Sequence, residues 1–101
     1  MNKFSVLISI YYKESPIYFR EALDSVFAQT LLPAEIVLVK DGPLTPELDA
    51  IIEEYAARHP IFKIVTNETN LGLGRALAKG LLACSYESVS YTHLRAHETV
   101  L

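Results

Sequence analysis

The chain has 101 residues and a formal net charge of −3; 50% of the residues are hydrophobic and 21% are charged. This composition predicts one folded domain and excludes a disordered chain. The negative charge argues against a nucleic-acid binder that works through bulk electrostatics, and no apolar run approaches the roughly 20 residues that a membrane span requires. The single cysteine, Cys84, cannot form an internal disulfide, so we expect a cytoplasmic protein.

The first part of the chain predicts a strand, a helix and a second strand. The run FSVLISIYY over 4–12 is typical of a strand that is buried on both faces. Ser15 and Pro16 predict a helix start, because serine can accept from free backbone N–H groups and proline suits the first turn. EIVLVK over 35–40 predicts the second buried strand. The apolar stripe expected on the helix consists of Phe19, Ala22, Leu23, Val26 and Phe27.

The alternation continues through the rest of the chain. Thr45 and Pro46 repeat the capped helix start, and IFKIVT over 61–66 predicts a third strand. A third helix is predicted from about Leu73 to Cys84. The residues expected to face inward from the second helix are Leu48, Ile51, Ile52, Tyr55 and Ala56. Those expected to face inward from the third are Leu73, Ala76, Leu77, Leu81 and Cys84.

This order of elements predicts an α/β fold. The pattern β-α-β-α-β-α with short connections indicates three layers, a parallel sheet covered by helices on both faces. Such sheets bind ligands at the carboxyl ends of their strands. The loops YYKES, KDGP and NETNLGLGR follow the three strands and are therefore the candidates for a binding site.

Each of these loops has a ligand-binding interpretation and a purely structural one. Tyr11 can stack on a base, or it can be a half-buried strand end. Asp41 can accept from the ring N–H of a pyrimidine, or the Asp-Gly-Pro run can simply be a turn. In the third loop Gly72 permits close backbone approach and Arg75 can meet an anion, or the two can be a helix start with a surface arginine. A dinucleotide-binding fingerprint is disfavoured, because Leu77 stands where its third glycine is needed and the run follows the third strand instead of the first.

The segments ALDSV, QT, EIVLVKDG and NETNLGLGRALAKGL, in this order, resemble the family 2 glycosyltransferases, which have the GT-A (nucleotide-diphospho-sugar transferase) fold. The resemblance implies that Tyr11 lies against the uracil or ribose of a UDP-sugar. It implies that Asp41 accepts from the uracil N3–H, and that Asn70, Gly72 and Arg75 belong to the loop that shapes the base and ribose pocket.

The sequence departs from the family pattern at three positions. Lys40 stands where many members carry the first of two acids, Tyr12 where Asn is common, and Ala78 where Asn is frequent. In the family the second acid is the one that faces the base. A lysine at position 40 therefore still suits the fold.

The resemblance also implies the chemistry of the full-length protein. The family transfers a sugar from a nucleotide-diphosphate sugar to an acceptor hydroxyl with inversion at the anomeric carbon. The implied partners are a nucleotide-sugar donor, with UDP expected, and a saccharide or lipid-linked acceptor used in cell-envelope polysaccharide biosynthesis. The full-length protein would work in the cytoplasm, at the inner face of the membrane, with no membrane span in this chain and no nucleic acid as partner.

Metal binding is the part of the family pattern that the sequence lacks. Members hold Mg²⁺ or Mn²⁺ with an Asp-x-Asp motif after the fourth strand, and a later carboxylate acts as base. The corresponding stretch, THLRA over 92–96, contains no Asp, and none follows Asp49. We therefore expect no metal ligands and no catalytic residues in the chain as written, and the resemblance leaves open whether the chain by itself is an enzyme.

The resemblance predicts a boundary near the end of the chain. Residues 1–87 are expected to be the N-terminal nucleotide-binding part of a truncated GT-A domain, and 88–101 a non-native or disordered tail. The sheet would then have three strands and one uncovered edge. In the tail His93 and His97 stand four apart and can share one helix face. A third ligand is lacking, so we expect no metal site there.

Three classes of function are compatible with these patterns. The leading hypothesis is the nucleotide-binding part of a glycosyltransferase, catalytically incomplete. The alternative is a non-catalytic nucleotide-binding α/β module. A receiver-like interaction domain ranks last, because it requires an acidic pair after the first strand, where the sequence offers Glu14 alone.

Overall fold

The structure, a computed structural model, describes residues 3–92 and contains within them four strands and three helices in alternation. The elements are β1 (Phe4–Ile10), α1 (Pro16–Phe27), β2 (Glu35–Asp41), α2 (Pro46–Arg58), β3 (Phe62–Asn67), α3 (Leu73–Ala83) and β4 (Ser88–Tyr91). All strand pairs are parallel, and the strand order is β3-β2-β1-β4. The predicted α/β fold with a parallel sheet is confirmed. The direction in which strands are added reverses between β1 and β4, and ligands of such sheets bind where this reversal occurs.

One face of the sheet is covered by α1 and α2. Both helices begin as predicted: Ser15 Oγ accepts from the N–H of Tyr18, and Thr45 Oγ1 from the N–H of Leu48, each at 3.3 Å. The residues of the apolar stripes that were predicted for these helices, except Ala56, pack in the core on this face. The buried residues of this layer are Val6, Ile8, Ile10, Phe19, Leu23, Val26, Ile36, Leu38, Leu48, Ile51, Ile52 and Tyr55.

The other face is covered by α3, which packs through smaller residues than predicted. Its buried residues are Ala76 and Gly80, whereas Leu73 and Leu81 are 46% and 45% exposed. The prediction that these two leucines face inward was wrong. The reason is the close approach at Gly80, where a Cβ would lie 2.4 Å from Cδ1 of Leu7. The small residues, and not the leucines, therefore define the contact face.

The fourth strand, β4, extends the sheet beyond the three strands that were predicted. It pairs with β1 in the register Phe4↔Ser88 to Leu7↔Tyr91. Its four residues lie at the start of the segment that was predicted to be a tail. The non-native character of that segment stays a prediction, and its part 93–101, which includes His93 and His97, lies outside the described residues. Within 3–92 no helix has the length and apolar character needed to cross a membrane.

A carboxylate at the start of β2 anchors the connection between α3 and β4. Glu35 accepts from Ser5 Oγ at 2.7 Å, from Ser85 Oγ at 3.1 Å and from the N–H of Ser85. Burial by itself would raise the pKa of Glu35, but the hydrogen bonds from Ser85 and Ser5 and the charge of Lys63 outweigh it, so the pKa is lowered. The ionised carboxylate therefore stabilises the approach to β4.

We expect the change Gly80→Ala to lower the free energy of unfolding by about 1 kcal/mol. Overpacking costs about 1 to 3 kcal/mol, and the helix propensity of alanine returns at most about 1 kcal/mol. The control is Gly74→Ala in the same helix, because a Cβ there meets no atom within 4 Å. Urea unfolding followed by circular dichroism measures both. Equal stability of the two variants would contradict the proposed contact.

We expect Glu35→Gln to destabilise the chain at pH 7 by about 1 kcal/mol, because charge-assisted hydrogen bonds are lost. The folded-state pKa of Glu35 lies below its ordinary value of 4.5. Its contribution is therefore fully present above pH 4.5 and disappears as the pH falls below that value. Denaturation at a series of pH values should show the wild type and the variant converging in acid. Glu87→Gln, at an exposed acid nearby, should leave the stability at pH 7 unchanged.

Candidate functional site

The carboxyl ends of β1, β2 and β3 lie side by side at one edge of the sheet. Ile10 is in register with Lys40, and Asp41 with Asn67. Tyr11 directly follows Ile10, so it leaves the sheet beside the strand end that carries Asp41. The three loops that were selected from the sequence therefore begin at neighbouring positions.

Tyr11 belongs to a small aromatic group at the tip of β1. It is half-buried, and its ring meets that of Tyr12 edge to face, with 5.9 Å between the centroids. Lys13 Nζ lies 5.9 Å from the centroid of the Tyr12 ring. Tyr12 is half exposed, so this group offers an aromatic surface and a cation beside the edge of the sheet.

Asp41 is the most highly connected polar residue at this edge. It is only 3% exposed. Its Oδ1 accepts from Asn67 Nδ2 at 3.0 Å and from the N–H of Leu71 at 2.8 Å, and its Oδ2 accepts from the N–H of Gly72 at 3.0 Å. One carboxylate thus joins the end of β2 to the end of β3 and to the start of α3.

Gly42 brings the third loop directly onto the end of β2. Its φ is +92°, and a Cβ would lie 2.8 Å from the backbone N of Asn70 and 3.2 Å from the carbonyl carbon of Thr69. Glycine is required here both for the backbone conformation and for the space. The Asp-Gly pair is therefore a turn, and it is also the surface on which the loop after β3 lies.

The loop itself ends in a glycine cap. Gly72 precedes α3 with φ +93°, and its N–H is shared between Asp41 and Asn70 Oδ1, the latter at 3.0 Å. This N–H is therefore already hydrogen-bonded within the protein and does not offer a donor to a ligand. An anion near the helix start would meet the next N–H groups, those of Leu73, Gly74 and Arg75, which have no acceptor within the helix.

Arg75 lies in the first turn of α3 and is exposed. Among residues 3–92 its guanidinium has no hydrogen-bond or ion-pair partner. A guanidinium beside the start of a helix, with no carboxylate attached to it, is suited to bind a phosphate.

Lys40 lies on the opposite face of β2 from Asp41, because successive side chains of a strand alternate. Its Nζ forms an ion pair with Asp49 Oδ1 of α2 at 2.8 Å. The lysine that stands in place of a family acid is thus accommodated by an acid on the neighbouring helix, away from the loop after β3.

Asn67 is the site residue that sequence reasoning missed. It is 2% exposed and donates to Asp41, while its Oδ1 is buried without a hydrogen-bond partner within 3–92. A signal was present in the sequence: a polar residue at the end of the third strand falls beside the acid that ends the second. The strand had been predicted to end at Thr66, one residue too early.

The described residues do not fit a divalent cation. Within 3–92 no group of three His, Cys, Asp or Glu side chains is arranged to hold a metal ion. β4 ends at Tyr91, and Thr-His-Leu-Arg follows where an acidic pair is expected. Hard cations such as Mg²⁺ and Mn²⁺ prefer oxygen ligands, which these residues supply poorly.

The single thiol does not belong to the site. Cys84 Sγ donates to the carbonyl of Gly80 at 3.4 Å, at the far end of α3. Burial raises the pKa of the Cys84 thiol, and the charge of Glu35 raises it further. The thiol is therefore a poor nucleophile at neutral pH.

Comparison with known proteins identifies the family. The model of the family described as Glycosyl transferase family 2 matches residues 5–92. The chain belongs to this family. The matched range of this glycosyltransferase family includes β4, which lies just beyond the boundary predicted at residue 87; the boundary itself stays a prediction. Membership also removes the receiver-like domain from the candidates.

Curated relatives support the same assignment. The chain is 48% identical over 87 residues to an uncharacterized glycosyltransferase of Haemophilus influenzae. It is 42% identical over 87 residues to the UDP-Gal:alpha-D-GlcNAc-diphosphoundecaprenol beta-1,3-galactosyltransferase of Escherichia coli. Each alignment covers 86% of this chain but only 32% and 31% of the two relatives. The chain therefore spans about a third of the length of these glycosyltransferases.

Two solved structures share the fold. TarS of S. aureus superposes with a TM-score of 0.73 at 30% identity, covering 89% of this chain and 16% of TarS. The mannosyltransferase PcManGT of Pyrobaculum calidifontis, solved with GDP-Man and Mn²⁺, gives a TM-score of 0.66 at 24% identity, covering 80% of this chain and 24% of that one. The predicted GT-A architecture is confirmed.

Proposed function

We propose that this family 2 chain binds the nucleotide-diphosphate sugar, with UDP expected, for inverting transfer of the sugar to an acceptor hydroxyl. The observation that carries the proposal is the meeting of the three loops at the carboxyl edge of the sheet. There an aromatic group at Tyr11, a buried acid at Asp41 and a cationic helix start at Arg75 follow neighbouring strands.

The chemistry of these groups matches the parts of a nucleotide-diphosphate. The Tyr11 and Tyr12 rings offer a face for a base or ribose. The N–H groups of the first turn of α3 and the Arg75 guanidinium offer donors for phosphate oxygens. Asn70 and Gly72 belong to the loop that leads into this helix, and Asp41 has one acceptor position left on Oδ2 for a base N–H.

The acceptor and the location are proposed by analogy with the relatives. The name of the Escherichia coli relative describes a lipid-linked GlcNAc acceptor. We extend to this chain only the class, a saccharide or lipid-linked hydroxyl compound, together with a cytoplasmic location for the donor site. Metal-assisted departure of the diphosphate, which the family resemblance implies, would require ligands that the described residues do not supply.

The second candidate, a non-catalytic nucleotide-binding module, is favoured by one specific observation. The stretch after β4 lacks an acidic pair, and no group suited to a metal occurs within 3–92. The two candidates share the donor site and differ in turnover. Hydrolysis or transfer of a UDP-sugar by the chain itself would favour the enzyme, whereas tight binding without turnover would favour the module.

We expect the chain to bind UDP, and Arg75→Ala to weaken that binding about tenfold, the loss of one charge-assisted contact to phosphate. Isothermal titration with UDP and with uridine measures the effect, which should be absent for uridine because it has no phosphate. Lys79→Ala, one turn further along α3, is the matched control and should retain wild-type affinity. Equal affinities of the two variants for UDP, or no binding by the wild type, would contradict the proposal.

A further inference from the structure

The carboxylate of Asp41 is engaged mainly by its own protein. A carboxylate offers about four acceptor positions. Three are taken by Asn67 Nδ2 and by the N–H groups of Leu71 and Gly72, all between 2.8 and 3.0 Å. All three donors come from one segment, the end of β3 and the loop that follows it. What Asp41 chiefly does in this structure is hold that segment.

We propose that Asp41 is a positioning residue, which acts on ligand binding by fixing the loop over 70–72 against the end of β2. This inference rests on the proposed function, because the loop belongs to the proposed donor site. A contact between the remaining acceptor position of Asp41 and a base is then secondary to the loop geometry.

Gly42 contributes to the same positioning of the loop. We call Asp41 and Gly42, together with the loop residues that they hold, the clamp. With φ at +92° and no side chain, Gly42 leaves the space that Asn70 and Thr69 occupy; a Cβ at this position would lie 2.8 Å from the backbone N of Asn70 and 3.2 Å from the carbonyl carbon of Thr69. The carboxylate of Asp41 accepts hydrogen bonds from the loop, and the missing side chain of Gly42 allows the loop backbone to pack against the turn. The two features act on the same backbone through different atoms, so they can be changed independently.

Asn67 indicates that the clamp is oriented by Asp41. Its Nδ2 donates to Asp41, although its Oδ1 is thereby left buried without a partner within 3–92. Rotating the amide by half a turn would place Oδ1 against the carboxylate, two acceptors in contact, which is worse. A buried unpaired oxygen costs free energy, so the contact with Asp41 decides the orientation.

The test compares Asp41→Asn with Gly42→Ala in the 101-residue chain. The first removes the charge of the side chain that accepts the hydrogen bonds of the loop. The second displaces the loop but keeps the carboxylate. We expect both variants to bind UDP and CDP about tenfold more weakly than wild type. This is the affinity that one charge-assisted hydrogen bond contributes. The ratio of UDP to CDP affinity should stay within about twofold of wild type, and the double variant should lose less than the product of the two effects.

Amide hydrogen exchange read by NMR provides the signature of the clamp itself. Exchange at Leu71 and Gly72 should accelerate in both variants, because their N–H groups lose the carboxylate acceptor or its geometry. Glu68→Gln, at an exposed acid that follows the same strand, should change neither exchange nor affinity. If Asp41→Asn does not fold, Asn67→Ala removes one donor and should produce a smaller shift in the same direction.

The contrary results are distinct. A selective loss of UDP over CDP in Asp41→Asn, with Gly42→Ala binding like wild type, would show a base contact and overturn the positioning role. If wild type binds no nucleotide, the proposed function fails for this chain. The exchange data then still decide the clamp, and unchanged protection of Leu71 and Gly72 in Asp41→Asn would overturn it.

Discussion

The site depends on one interaction, the acceptance of three protein donors by the buried carboxylate of Asp41. It joins the ends of β2 and β3, which lie side by side and whose strand pairing ends at Asp41 and Asn67. Without it the loop over 70–72 would lose two hydrogen bonds and would retain the bond from Gly72 N–H to Asn70 Oδ1, the bond from Ala76 N–H to the Gly72 carbonyl and the packing on Gly42. Because a carboxylate accepts from several N–H groups at once, a single side chain can order a loop that contains no regular structure.

The sheet supplies the frame for this interaction, and its two faces are built differently. On one face large side chains from α1 and α2 interlock with the strands. On the other, α3 approaches through Ala76 and Gly80, close to Leu7 and Val39. The same helix is attached to the end of β2 by the hydrogen bond from the N–H of its cap, Gly72, to Asp41, so the close packing at Gly80 and this hydrogen bond hold α3 against the sheet at two points.

Much of this frame could be predicted from the sequence, because the periodicity of apolar residues and the Ser-Pro and Thr-Pro helix starts are local signals. The leucines of α3 could not be assigned correctly, since the pattern does not reveal that a glycine permits a closer approach than a leucine face would. β4 was missed because SVSY is short and mostly exposed. Asp41 was selected for a ligand, yet its protein donors come from residues 26 to 31 positions away, and sequence spacing cannot show such pairing.

Successive side chains of β2 point to opposite faces of the sheet, and this explains which departures from the family pattern are compatible with the site. Lys40 and Asp41 are adjacent in sequence but lie on opposite faces of the sheet. The lysine at position 40 therefore pairs with Asp49 on α2 and does not contact the loop after β3. Asp41 and Gly42 have no such freedom. Any longer, shorter or uncharged replacement of Asp41 alters three hydrogen bonds together, and any side chain at Gly42 meets the backbone of Asn70. The positions that fix backbone are therefore constrained, and those that point to the opposite layer can vary.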